Sequence, residues 1–151
     1  LPIFSFQKTR PLHVSLVIAW LYLGAIGGIY YYLPNKCGVP LYSQLLAKLH
    51  LWIFTITGFV IIALYSMGIF GGREYWAFPP ILAIPIVVSW GMFGYNYIKT
   101  IFAVKTPWPV YYWMWGTGIL FFLFTFLESY LWMIPYFGDS IVRDKIGRAH
   151  V

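Results

Sequence analysis

Arg10-Pro11-Leu12-His13, and the apolar run that follows as far as Tyr32-Leu33-Pro34, decide the fold. Residues 12–33 are 22 positions without a charge, and their one histidine, His13, falls in the first turn. At 1.5 Å per residue the run is about 33 Å long, enough to cross a hydrocarbon core of roughly 30 Å. Pro11 suits a helix start, because the first four N–H groups of a helix go unpaired in any case. Pro34-Asn35 reads as the turn that ends the helix. An ionisable ring at the head of a membrane helix is costly without a partner, which makes His13 a candidate for function. The plainer alternative is a ring at the lipid–water interface that donates to a backbone carbonyl.

Composition agrees with that helix. The chain is 61% hydrophobic and 9% charged, against roughly 25% charged in a soluble domain, so it reads as an integral membrane protein. Its 8 Trp and 13 Tyr suit rings seated at both membrane interfaces. The net charge of +6 comes from 10 basic residues spread singly, with no cluster of the kind that binds nucleic acid. The single cysteine, Cys37, excludes an internal disulfide and offers no Cys-x-x-Cys metal pair.

Further along, the apolar pattern recurs three times. The short loop Lys36-Cys37-Gly38-Val39-Pro40 predicts an antiparallel second helix over 43–67, with Lys48 and His50 near its start. Gly68, Gly71 and Gly72 open a loop that carries Arg73-Glu74-Tyr75-Trp76 and closes at Pro79-Pro80. A third helix follows over 80–104, with a kink expected at Pro85. Thr106-Pro107-Trp108-Pro109 is a tight turn into a fourth helix over 110–136, after which Phe137-Gly138-Asp139 leads out to water. The expected fold is all-α: four antiparallel transmembrane helices forming one bundle over 1–145, with no second domain. The last six residues, Ile-Gly-Arg-Ala-His-Val, begin no helix, and their reverse translation can read ATC GGA AGA GCA CAC GTC, the run of a common sequencing adapter. Residues 146–151 are therefore read as non-native, with Lys145 doubtful. With Leu rather than Met at position 1, the chain is read as truncated at both ends.

Four helices put the first end, the second loop and the C-terminal segment on one face, A, and the other two loops on face B. Face A holds Lys8, Arg10, Arg73 and Arg143 with Glu74, Asp139 and Asp144; face B holds Lys36, Lys48, Lys99 and Lys105 and no acid. The positive-inside count is tied. If the arginines of face A bind an anionic ligand they are not topology signals, and face B is cytoplasmic.

Arg10, His13, Arg73 and Glu74 thus gather at face A. A haem is one use for this set, since its iron takes an imidazole and its propionates match the guanidinium fork. The alternative is that Arg73 and Glu74 are solvated loop residues. His50 enters the membrane from face B and lies about 15 Å or more from the depth of His13. The two cannot share an iron whose axial nitrogens are only about 4 Å apart, so His50 reads as a packing or interfacial residue. Glu128, in Phe126-Leu127-Glu128-Ser129-Tyr130, is a candidate for a proton path. About 20 residues span the core, so it also fits a structural place near the face A interface, paired with Arg143 or neutral.

Arg-Pro-Leu-His opening an apolar helix that ends Tyr-Tyr-Tyr-Leu-Pro resembles the second helix of the large subunit of cytochrome c-dependent nitric oxide reductases. It is also similar to the catalytic subunit of the C-family haem–copper oxidases. Gly72-Arg73-Glu74-Tyr75 with Pro79 resembles the Gly-Arg-Glu-aromatic segment of the reductases, and with the exit Val142-Arg143-Asp144 the likeness extends over most of residues 8–145. The resemblance implies that His13 is one axial ligand of a low-spin b-type haem. Arg10 and Arg73 would then lie near its propionates, and Glu74 would help hold a calcium ion, an oxygen ligand of the kind Ca²⁺ takes. Where the family usually has a second acid, this chain has Ala77. The resemblance further implies a subunit of about twelve helices, whose later helices carry a high-spin haem and a non-haem iron or copper. Electrons would come from a c-type cytochrome subunit or donor, in a bacterial or archaeal inner membrane with the start of the first helix periplasmic. The intact enzyme would reduce nitric oxide to nitrous oxide. The rivals are an O2-reducing cytochrome c oxidase of the C family and, in another class, a non-enzymatic four-helix membrane protein or transporter piece.

Overall fold

A computed structural model describes residues 6–71 and 75–130, apart from the side chains of Gln7 and Lys8. Among them are four long helices: α1 (Phe6–Cys37), α2 (Gln44–Met67), α3 (Ala83–Phe102), entered through a 3₁₀ turn (Pro80–Leu82), and α4 (Val110–Glu128). Each is long and apolar enough to cross a membrane, as the sequence predicts. The shortest, of 19 residues, is about 28 Å long.

Helix ends differ from expectation where proline is expected to punctuate the chain. α1 begins five residues before Pro11 and runs through Pro34 to Cys37. Its end is closed by side chains and a glycine: Asn35 Nδ2 donates to Tyr31 O at 2.7 Å, Cys37 Sγ donates to Leu33 O, and Gly38, at φ 64°, donates its N–H to Pro34 O. Gly38 N thereby fills the Pro34 carbonyl, one of those that the end of a helix leaves open, and the helix forgoes at Pro34 a single N–H. Pro85 is the third residue of α3, where no intrahelical N–H is needed, and so the cause of the expected kink is absent. α2 has the predicted bounds: Ser43 Oγ accepts from Leu46 N at 3.2 Å, and Gly68 closes the helix at φ 80°. α4 closes at Glu128, short of the expected residue 136, with Ser129 N donating to Thr125 O. Residues 131–151, including Arg143 and the tail 146–151, lie outside the described residues.

Two hydrogen bonds set the register of α1 against α2. Ser15 Oγ meets Tyr65 Oη at 3.0 Å, and Tyr30 Oη meets His50 Nδ1 at 3.3 Å. In both pairs the residue numbers sum to 80, which is the mark of an antiparallel pair in constant register. The buried side of α1 steps by threes and fours through Tyr22, Ile26, Ile29 and Leu33, the spacing of one helix face. α3 is the most enclosed helix, burying Ile86, Ser89, Trp90, Phe93, Asn96, Tyr97 and Thr100 among others. It binds α4 through Trp90 Nε1, which donates to Ile119 O at 2.9 Å, and through Tyr97 Oη, which donates to Tyr112 O. Gly94 and Gly116 let the two backbones approach, since a Cβ at Gly94 would stand 3.3 Å from Ile119 Cγ2. Tyr22 of α1 lies edge-on to Phe122 of α4 at 4.2 Å and to Trp90 at 5.4 Å, which closes the bundle.

Candidate functional site

The end of the bundle that carries His13 is assembled by the Ser15–Tyr65 bond, half a turn below the histidine. Tyr65 also packs against Phe70 and is bonded at the Phe78 backbone, so the loop from α2 to α3 folds onto the start of α1. Gly71 N donates to Ala77 O at 3.0 Å, and a Cβ at Gly71 would stand 3.2 Å from Pro79 Cα. That contact pins the two arms of the loop together on either side of residues 72–74. Tyr75 follows at φ 72°, a left-handed conformation rare outside glycine. Arg73 and Glu74 themselves lie outside the described residues. At the other margin Trp76 meets Phe126 of α4 edge-on at 4.8 Å, which brings the end of α4, with Glu128, to the same face. The start of α1, the described arms of the second loop and the end of α4 therefore share face A; the C-terminal segment, also expected there, lies outside the described residues.

His13 is exposed, and among the described residues no hydrogen bond or ion pair reaches its ring. It stands off the buried side of α1, next to Leu12 and Ser15. On a helix its neighbours are Arg10 three residues before, Leu16 and Val17 after it, and Trp20 a turn further on. All of these are exposed, Trp20 by 74%. The imidazole therefore belongs to an outward, largely apolar face with a guanidinium at its membrane-surface end. Glu128 is exposed as the last residue of α4.

His50 is 2% exposed, stacked on Phe93 at 5.3 Å between ring centres. Because it pairs with Tyr30, it lies level with a residue 17 positions beyond His13 on α1, about 26 Å away along the helix axis. The two histidines are too far apart for one iron, as the sequence argument requires. Among the described residues no group of three or more His, Cys, Asp or Glu could hold a metal ion.

The polar contacts that join the helices are missed by sequence reasoning. Asn96 Oδ1 accepts from Ser43 N and its Nδ2 donates to Ser43 O, both at 2.9 Å, while Thr100 Oγ1 accepts from Tyr42 N at 3.1 Å. A polar amide in the middle of an otherwise apolar helix is the available signal, because such a group must find a partner in the bundle.

The sequence profile of the family described as cytochrome c and quinol oxidase polypeptide I matches residues 2–146. The chain is 30% identical to a nitric oxide reductase subunit of Stutzerimonas stutzeri in an alignment that takes in 95% of this chain. It spans 32% of that relative's length.

Proposed function

Because the chain belongs to the cytochrome c and quinol oxidase polypeptide I family, the subunit I proteins of the haem–copper oxidases, we propose that it is the early part of a respiratory oxidoreductase subunit and supplies one ligand to a low-spin b-type haem. One observation carries this reading: His13 presents, on the outward face of α1 and one turn from Arg10, an imidazole that has no partner among the described residues. The residues present fit the group. A flat apolar macrocycle suits the exposed face of Leu16, Val17 and Trp20, and its anionic edge suits Arg10 at the membrane-surface end. Bound there, the haem would supply one-electron transfer.

The chain's own residues have three tasks. His13 would supply an imidazole nitrogen to the iron. Arg10, with Arg73 of the second loop, would neutralise the propionates, and Glu74 would offer a carboxylate to a calcium ion. Tyr65, through Ser15, holds the described arms of the loop against the helix start, on the face that carries Arg10. Glu128 lies at that face as well; we assign it an interfacial role ahead of a proton path, because it stands at the helix end rather than within the span.

Likeness to the nitric oxide reductase relative makes nitric oxide the favoured substrate of the intact protein: two NO, two electrons and two protons give N2O and water. The electrons would come from a c-type cytochrome. The catalytic high-spin haem and its non-haem iron or copper would be held by helices other than these four. The setting would be a bacterial or archaeal inner membrane with face A periplasmic. The rival is reduction of O2, which the description of the family itself favours.

The test is the visible spectrum and gas consumption of the full-length protein with its partner. His13→Ala should abolish the low-spin b-type band of the reduced protein while the high-spin signal stays. An intact band would overturn the ligand assignment. Consumption of NO with N2O formed one for every two supports the reductase; turnover of O2 with none of NO makes the oxidase the correct reading.

A further inference from the structure

A cleft between α1 and α2 at face B is untouched by the haem reading. It has a volume of about 460 Å³, within the roughly 300–1,000 Å³ of ordinary ligand sites. Its walls are drawn from residues 23–34 of α1 and 44–54 of α2, a run of about 16 Å along the helices. That is half of a bilayer core of roughly 30 Å, so the cleft is as deep as one leaflet. Ile26, Gly27, Leu51 and Phe54 make its inner part apolar, while Gln44 and Lys48 stand toward the membrane surface. Lys48 is exposed and has no ion pair among the described residues. In the register that pairs residues summing to 80, Lys36 is level with Gln44, about one helical turn from Lys48. Among the described residues face B carries four lysines and no acid.

His50 supplies a second, independent observation. It lines the same cleft, is 2% exposed, and its Nε2 has no partner among the described residues. Its Nδ1 meets the Tyr30 hydroxyl at 3.3 Å; with that hydroxyl as the donor, Nε2 carries the ring proton and is a buried N–H without an acceptor among the described residues. Such a group costs free energy until an oxygen meets it.

We propose that this cleft binds one anionic phospholipid of the face B leaflet. Its phosphate sits at Lys48 and Gln44, an ester carbonyl accepts from His50 Nε2–H, and an acyl chain lies between α1 and α2. A basic pocket between transmembrane helices is suited to such a headgroup. A zwitterionic lipid brings its own ammonium to a surface that already has only lysines. The volume, one-leaflet depth, cationic mouth and waiting donor are all accounted for by the same molecule.

The experiment is native mass spectrometry of the full-length protein in detergent, titrated with phosphatidylglycerol or with phosphatidylcholine of matched chains. One phosphatidylglycerol should be retained more tightly than phosphatidylcholine. Lys48→Gln should weaken the anionic lipid about fivefold, the effect of one lysine at a charged surface, and leave phosphatidylcholine unchanged. Lys48→Arg should restore it. His50→Phe should weaken both lipids, because the ester carbonyl is common to them. Equal retention of the two lipids by the wild type, or no retained lipid because another helix fills the cleft, overturns the proposal. So does an equal loss with Lys105→Gln, which lies on face B outside the cleft and would report only a diffuse field. The visible spectrum of Lys48→Gln separates this result from the haem reading, since the haem face lies at the opposite end of α1.

Discussion

Arg10 and His13 are separated by a single turn of α1, and that spacing gives the pair a measurable electrical consequence. A guanidinium near the haem edge disfavours the oxidised iron, which carries one more positive charge. Arg10→Gln should therefore lower the midpoint potential of the low-spin haem. The shift should be on the order of 50 mV, the effect of a unit charge roughly 12 Å away at an effective dielectric of about 20. A redox titration that finds the potential unchanged or raised would remove Arg10 from the propionates. Asn96 makes a different kind of contribution at the same scale. It answers both backbone groups of Ser43, the residue that caps α2. Asn96→Leu should cost about 1–2 kcal/mol, as interhelical hydrogen bonds in membranes do, seen as a lower melting temperature in detergent with the haem spectrum kept.

At the level of the helices, glycine positions divide into those the backbone requires and those it does not. Gly68 ends α2 at φ 80°, so Gly68→Ala should destabilise by about 1–2 kcal/mol. Gly24 is helical, and a Cβ there would meet nothing within 4 Å, so Gly24→Ala should be neutral or slightly stabilising in the same thermal assay. The existence of the four helices is legible in the sequence because a stretch of some twenty apolar residues has few other uses. Their ends are less so, because Pro11, Pro34 and Pro85 read as starts, breaks or kinks. Yet Pro85 falls in a first turn, and Asn35, Cys37 and Gly38 complete the end of α1 beyond Pro34. The inward faces are not legible at all. A helix that is apolar on every side, as α4 is through Trp113, Phe121 and Phe124, presents the same pattern to lipid and to protein.

Across the whole molecule, charge separates the two ends. Over residues 1–144 the lysines and arginines number four at each face, and face B is the cytoplasmic side only if the arginines of face A have a ligand. Single cysteines in a Cys37→Ser background test that directly. Thr106→Cys should react with a membrane-impermeant maleimide only in inverted vesicles, and Tyr75→Cys only in spheroplasts; the reverse pattern would put the haem face on the cytoplasmic side. The Arg10-x-x-His13 part of the site is legible because it is a local spacing on one helix. The pinning of the second loop onto α1 is not, since Ser15 and Tyr65 are 50 residues apart and each is unremarked in its own neighbourhood.

The enclosure of α3 also bears on how the chain is made. α3 carries Ser89, Asn96 and Thr100 on its buried side, groups that lipid cannot satisfy. A nascent chain releases its spans in order, so α2 is already in the membrane, with Ser43 and Tyr42 exposed at its head, when α3 emerges. α3 can therefore leave the insertion channel directly onto a waiting surface rather than into bare lipid, and α4, whose Ile119 and Tyr112 carbonyls accept from Trp90 and Tyr97, arrives to complete it. The order in which these segments are synthesised is thus the order in which their polar groups find partners.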